Sequence, residues 1–162
     1  MQQKAYCSSP FGCFEITGSE RGIRRVQLSK KQHCPDQEVP APLRACVQQL
    51  KEYFARQRTD FDLQLDWGDA PEFHQAVWEQ LTRIPYGHTT SYSGIAHRLG
   101  DANKMRAVGQ ANRSNPIAII VPCHRVIAKN GDLQGYFYGL DMKRKLLELE
   151  NPMSFATQGQ LF

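Results

Sequence analysis

The sequence predicts a mixed α/β protein of the α+β kind: a small strand-rich N-terminal domain, then a helical domain with a winged-helix-like helix-turn-helix. Three observations predict it. Short apolar patches broken by glycine and proline fill the first 30 residues. Apolar residues at helical spacing follow. Beyond residue 68 helical patterns recur in shorter pieces that lead to a continuous apolar run at 117–121. At 162 residues the chain is close to the roughly 150 expected of one domain, so both parts are small. The boundaries read as 1–68, 69–152 and a tail at 153–162.

In the first part Phe14 and Ile16, then Ile23, Val26 and Leu28, are separated by Pro10-Phe11-Gly12, Gly18 and Gly22. The stretch Gly18-Ser19-Glu20-Arg21-Gly22 predicts a hairpin loop. Prolines and charges over 33–42 predict an exposed connection. Leu43, Val47, Leu50, Tyr53 and Phe54 predict an amphipathic helix over 41–57. Phe61, Leu63 and Leu65 alternate with polar residues and predict a short strand.

In the second part Phe73, Val77, Leu81 and Ile84 predict a helix that stops before Pro85. Ser91 or Ser93 caps a short helix that runs through Leu99 and ends at Gly100. Asp101 or Asn103 caps another, with Met105, Val108 and Asn112 on one side. Two short helices joined by a tight glycine turn are the helix-turn-helix pattern. The second carries Arg106, Gln110 and Arg113, with the small Ala107 and Ala111 between them, which suits close approach to a nucleic-acid groove. The run 117–121 predicts a buried strand, and 140–150 a final helix.

Composition narrows the function classes. Apolar residues at 41% and charged residues at 22% exclude wholesale disorder. No apolar stretch nears the roughly 18 residues of a membrane span, and the start shows no apolar signal region, so a soluble, cytoplasmic protein is expected. No glycine-rich phosphate loop occurs, and no cofactor is expected. The net charge is only +4. Its distribution says more: between His97 and Lys129, Arg98, Lys104, Arg106, Arg113, Arg125 and Lys129 face Asp101 alone, a candidate phosphate-facing segment. The five cysteines are odd in number and argue against a disulfide framework. Cys7, Cys13, His33 and Cys34 are too irregularly spaced to make a persuasive zinc set.

Cys123 stands apart, in Pro122-Cys123-His124-Arg125-Val126 directly after the apolar run. Proline fixes the approach, so the cysteine is held rigidly at the floor of a pocket. A thiolate is the competent nucleophile, and neighbouring cationic or proton-accepting groups bring the thiol down from about 8.5. A carboxylate that orients His124 completes a Cys-His-acid relay, and Glu148 and Glu150 are its candidates.

These residues resemble the O6-alkylguanine-DNA alkyltransferase family. Pro122-Cys123-His124-Arg125-Val126 is preceded by Arg106-Ala107-Val108-Gly109 and Asn115-Pro116. The likeness continues through Ile84-Pro85-Tyr86-Gly87, Ser91-Tyr92, Gly139-Leu140 and Lys143 to Glu150, over about 71–150. It is looser at Ser9-Pro10-Phe11-Gly12. The resemblance implies a single-turnover repair protein, a monomer acting on double-stranded DNA, that takes the alkyl group of O6-alkylguanine, and in some cases O4-alkylthymine, onto its own cysteine. Cys123 would be the acceptor, His124 its base through a water, and Glu150 the group that orients His124. Tyr92 would protonate the departing guanine. Arg106 would fill the gap left by the flipped nucleotide, with Ala107, Gln110 and Arg113 on the same DNA-facing helix, inserted in the minor groove. Asn115 would brace the turn before the active-site segment. The carbonyls of Cys123 and Val126 would receive the guanine amino group, and Tyr136 would line the pocket.

The chain departs from the family pattern in Gln134-Gly135-Tyr136-Phe137-Tyr138-Gly139. Phe137 replaces a serine and Tyr138 a glycine, so Tyr138 either crowds the pocket or swings outward as a lid. Ser19 and Arg24 stand where some relatives bind zinc, so no metal is expected. The rival reading is a protein that binds and flags alkylguanine without transferring the group. The tail ends Gln158-Gly159-Gln160-Leu161-Phe162 and resembles peptides that dock on bacterial sliding clamps through Gln158, Leu161 and Phe162.

Overall fold

The computed structural model describes residues 1–133 and 135–152 and divides them into two compact units. The first holds residues 1–69 and 116–120, the second 70–115 and the remainder from 121. Three antiparallel strands, β1 (Gln3–Ser9), β2 (Gly12–Ser19) and β3 (Gly22–Leu28), form a meander in the first unit. The β2–β3 turn needs only Glu20 and Arg21, because Gly22 takes φ 136°. Ala5, Cys7, Phe14, Ile16 and Val26 are buried, as are Leu43, Cys46, Leu50 and Tyr53. The last three belong to α1 (Arg44–Phe54), which packs on β1.

Three expectations for this unit are corrected. The helix is shorter than 41–57: a 3-10 turn occupies Ala41–Leu43, and the chain leaves α1 at Ala55 before Arg56 turns left-handed at φ 62°. No ladder forms over 61–65, where Leu65 makes a single parallel bridge to Ile23. Residues 117–121 are not a strand either. Ile117 alone bridges Val26, and the chain then folds into a γ-turn with Ile120 N–H donating to Ala118 O at 2.8 Å around Ile119 at φ 71°. Apolar content places a segment in the interior; it does not decide that the segment is extended.

A disulfide joins Cys13 to Cys34, against the expectation from the odd cysteine count, while Cys7, Cys46 and Cys123 are free and buried. The bond ties the connection after β3 back to β2.

The second unit is built from α2 (Glu72–Thr82), β4 (Thr90–Ser91), α3 (Tyr92–Arg98), α4 (Met105–Arg113), β5 (Val126–Ile127) and α5 (Leu140–Glu150). Ser91 caps α3, its hydroxyl accepting from Gly94 N–H at 3.0 Å. Asp101 caps a 3-10 turn, Ala102–Lys104, that leads into α4. Trp78 of α2 donates its indole N–H to the Ala111 carbonyl at 2.8 Å, which fixes α4 against α2 through a buried bond. Val108, Ala111 and Asn112 face inward. Met105 does not join them: it is half exposed, a correction to its place on the inner side. Among the described residues no helix is long and apolar enough to cross a membrane.

The Cys13–Cys34 bond closes a loop of 21 residues, for which chain entropy gives about 3 kcal/mol. Thermal unfolding followed by circular dichroism is expected to shift to lower temperature when dithiothreitol is added, and the Cys34→Ser variant to show no such shift.

Candidate active site

Two consecutive backbone devices aim Cys123. Pro122, at φ −83° and ψ 64°, sits in an inverse γ-turn in which Cys123 N–H donates to Val121 O at 2.8 Å. The same carbonyl accepts from Asn115 Nδ2 at 2.7 Å, which ties the end of the α4 segment to the reactive loop. A 3-10 turn, Cys123–Arg125, follows. The Cys123 carbonyl accepts from Val126 N–H and, at 3.4 Å, from Asn112 Nδ2, so both its lone pairs are engaged within the protein. β5 then pairs in parallel with β4, Thr90 opposite Val126, and this brings Ser91 and the adjoining Tyr92 to the reactive segment.

Behind the cysteine lies a buried charge cluster. His124 Nε2 meets Glu150 Oε2 at 2.7 Å, and both side chains are buried. Arg125 clamps the same carboxylate with Nε at 2.7 Å and Nη2 at 3.0 Å, while its Nη1 donates to Ile84 O at 2.7 Å. Despite the cost of burial, His124 and Arg125 hold the Glu150 carboxyl far below the usual carboxylate range. Burial above all, with help from Arg125 and Lys143, lowers His124, so the imidazole is neutral at pH 7. An ionised carboxylate only accepts, so Nε2 carries the hydrogen and Nδ1 is left with its lone pair. That Nδ1 atom is buried without a hydrogen-bond partner in the protein. Of the two carboxylates left open by the sequence, Glu150 is the one that meets His124. Arg125 leaves the phosphate-facing set: it is buried and serves Glu150.

Tyr92, Tyr136 and Lys143 all feel the charge of Cys123. Burial raises the Cys123 thiol, while Asn115 and the Lys143 ammonium oppose the rise. Burial lowers Lys143 to about 8, and the Cys123 charge works against that change. The Lys143 Nζ lies 5.9 Å from the Tyr92 ring centroid and donates to Gly135 O at 3.4 Å. Tyr92 and Tyr136 are both raised, first by burial and then by Cys123. In the sequence Lys143 stands out only through the family likeness, and not for its electrostatic influence on the thiol. A lysine inside the apolar pattern of α5, with Met142, Leu146 and Leu147, was the available signal.

The replaced loop residues point in different directions. Phe137 is 69% exposed and meets Tyr138 edge-on at 5.0 Å, and Tyr138 meets the buried Tyr136 edge-on at 5.7 Å. Phe137 therefore projects outward, and Tyr138 packs against Tyr136. A cavity of about 820 Å³ opens beside this loop, lined by Tyr92, Met105, Arg106, Gln110, Arg113 and Lys129 among others. Three cationic side chains on one concave wall suit a phosphate backbone. Ala107 is half-buried on the same helix, and Asn115 lies at its end.

Residues 72–152 match the family model described as the DNA binding domain of 6-O-methylguanine DNA methyltransferase, and residues 3–67 match its ribonuclease-like domain. The chain belongs to the O6-methylguanine-DNA methyltransferase family. A methylated-DNA–protein-cysteine methyltransferase from Methanosarcina acetivorans is 45% identical over 151 residues, covering 90% of this chain and 96% of the relative. One from Mycobacterium tuberculosis is 43% identical, covering 88% of each. Among solved structures, the M. tuberculosis O6-methylguanine methyltransferase matches with a TM-score of 0.82 at 41% identity, covering 94% of each chain. The M. tuberculosis OGT in complex with DNA matches at 0.80 and 43% identity, covering 91% of each.

Within this family site the carboxylate has a measurable signature. Glu150→Gln leaves Arg125 buried without a counter-charge and is expected to lower the unfolding free energy by about 3 kcal/mol in urea titrations. Because the folded carboxyl is depressed, its contribution is full above the unfolded value of about 4.3 and drains away as pH falls below it. The Gln variant is expected to lack that part of the acid-side loss.

Proposed function

We propose that the protein repairs DNA directly, moving an alkyl group from guanine O6 in a duplex to its own Cys123, one group per molecule. The observation that carries this is the neutral histidine that follows Cys123 in the chain, whose Nε2–H is held by Glu150 and whose buried Nδ1 has no hydrogen-bond partner in the protein. The family's named activity, methyl transfer from DNA to a protein cysteine, needs that donor-acceptor order.

The reaction balances on residues of this chain. The Cys123 thiol proton passes to His124 Nδ1 through an intervening water, and the sulfur forms a bond to the alkyl carbon as the carbon–O6 bond breaks. Guanine leaves as the neutral base once Tyr92 gives its phenolic proton to N3. The Lys143 ammonium above the Tyr92 ring stabilises the phenolate left behind. An alkyl group inside a duplex is out of reach, so the nucleotide must be extruded at a cost of a few kcal/mol. Arg106 fills the vacated place in the stack, while Gln110, Arg113 and Asn115 hold α4 on the duplex and order the turn behind it. The Val126 carbonyl receives the guanine amino group, and Tyr136 and Tyr138 wall the pocket. The Cys123 carbonyl, already engaged twice, is the weaker acceptor.

Intact and peptide mass spectra after mixing with duplex DNA containing one O6-methylguanine test this reading. One methyl is expected on the Cys123 peptide at one equivalent, with none in Cys123→Ser. Tight lesion-selective binding with no mass gain would instead make the protein a lesion recogniser.

A second partner rests on the tail alone. Gln158, Leu161 and Phe162 lie outside the described residues, and we propose from their order that they dock on a sliding clamp. Phe162→Ala is expected to weaken binding to the purified clamp at least tenfold, and unchanged affinity would remove the idea.

A further inference from the structure

Apart from Met1, the exposed large apolar side chains among the described residues are Met105, Phe137 and Leu140, all in the second unit. Met105 is the one that lines the cationic cavity, next to Arg106 and on the wall that also carries Arg113 and Lys129. It is not there because the segment is loose. Asp101 caps the 3-10 turn before it, Lys104 reaches over the Phe73 ring at 5.4 Å, and Trp78 holds α4 through Ala111. Gly109, one turn further along the same wall, adds no side chain beside it. An unbranched thioether is thus presented from a rigid helix start, half exposed to water, among groups that fit phosphates. In solution that exposure gains nothing. Against a duplex, apolar side chains can enter a base step and unstack it, and cationic neighbours hold the bent strand in place.

We propose that Met105 is a base-step wedge: its side chain enters the duplex beside Arg106 and holds open the step from which the alkylated nucleotide is extruded. The inference rests on the repair reading above and adds a DNA-deforming residue that the composition of the helix does not announce. It places the opening work on the pair Met105 and Arg106, one apolar and one cationic, rather than on the arginine alone.

The test compares methyl transfer from the same O6-methylguanine in a duplex and in a single-stranded oligonucleotide, which has phosphates but no step to open. In Met105→Ala the ratio of duplex to single-strand rates is expected to fall about tenfold, and Met105→Leu to restore it. The fluorescence rise of a 2-aminopurine placed next to the lesion is expected to shrink in parallel. A ratio within about twofold of the parent, or an equal fall on both substrates, would overturn the wedge. A parent protein that takes no methyl from either form would remove the repair reading, and the wedge with it.

Discussion

The site depends on one carboxylate. Glu150 is the last residue of α5, where the unpaired carbonyls of a helix end make a negative charge unwelcome. It remains ionised because Arg125 supplies two charge-assisted bonds and His124 a third. Such a buried cluster adds little net stability over an apolar replacement, since desolvation consumes most of the attraction. What it fixes is a tautomer. With Nε2 committed to Glu150, the proton-accepting nitrogen of His124 is necessarily Nδ1. Arg125 also donates to Ile84 O, Tyr86 donates to Leu149 O at 3.4 Å, and Asn151 donates to Gly87 O at 2.9 Å. The 84–87 turn and the end of α5 are thereby bound to the same cluster. The two sequence motifs that flank the unit, Ile84-Pro85-Tyr86-Gly87 and the final helix, meet through this charge.

The thiol and Lys143 illustrate a second constraint. Burial pushes each toward its neutral form, yet each charge favours the other, so the Lys143 ammonium makes the neighbouring thiolate less costly. At rest the sulfur is protonated and quiet. Asn115 and Lys143 lower the cost of the thiolate, but burial outweighs them. The reactive form is therefore tied to this geometry and to a base that takes the proton.

Much of this was legible in the sequence, and the failures share a cause. Caps and period were local, so α2, α3, α4 and α5 and the Ser91 and Asp101 caps could be read from neighbours in the chain. Residue types alone offered both Glu148 and Glu150 as partners for His124; only the family likeness singled out Glu150, the carboxylate that meets His124. Residues 61–65 and 117–121 misled because apolar content gives burial, whereas extension depends on which strand offers its edge. Cys13 and Cys34 meet only because the connection after β3 folds back, which no spacing rule reveals. Arg125 and Met105 failed in opposite senses. A charge is expected outside and an apolar chain inside, and here each stands in the other's place.

The same burial accounts for the direction of the reaction. Returning the alkyl group to water would require attack on the carbon with Cys123 thiolate as the leaving group. A leaving group departs more slowly as its conjugate acid weakens, and burial weakens this thiol as an acid. In the proposed reaction guanine has no such handicap, because a proton from Tyr92 lets it leave neutral. The forward step therefore sheds a neutral base, whereas the reverse or hydrolytic step must expel a buried anion. In that scheme His124 is the base for the thiol, and it has no proton to remove once sulfur is alkylated. A pocket built to keep the thiol quiet before reaction is, by the same desolvation, one that keeps the thioether afterwards.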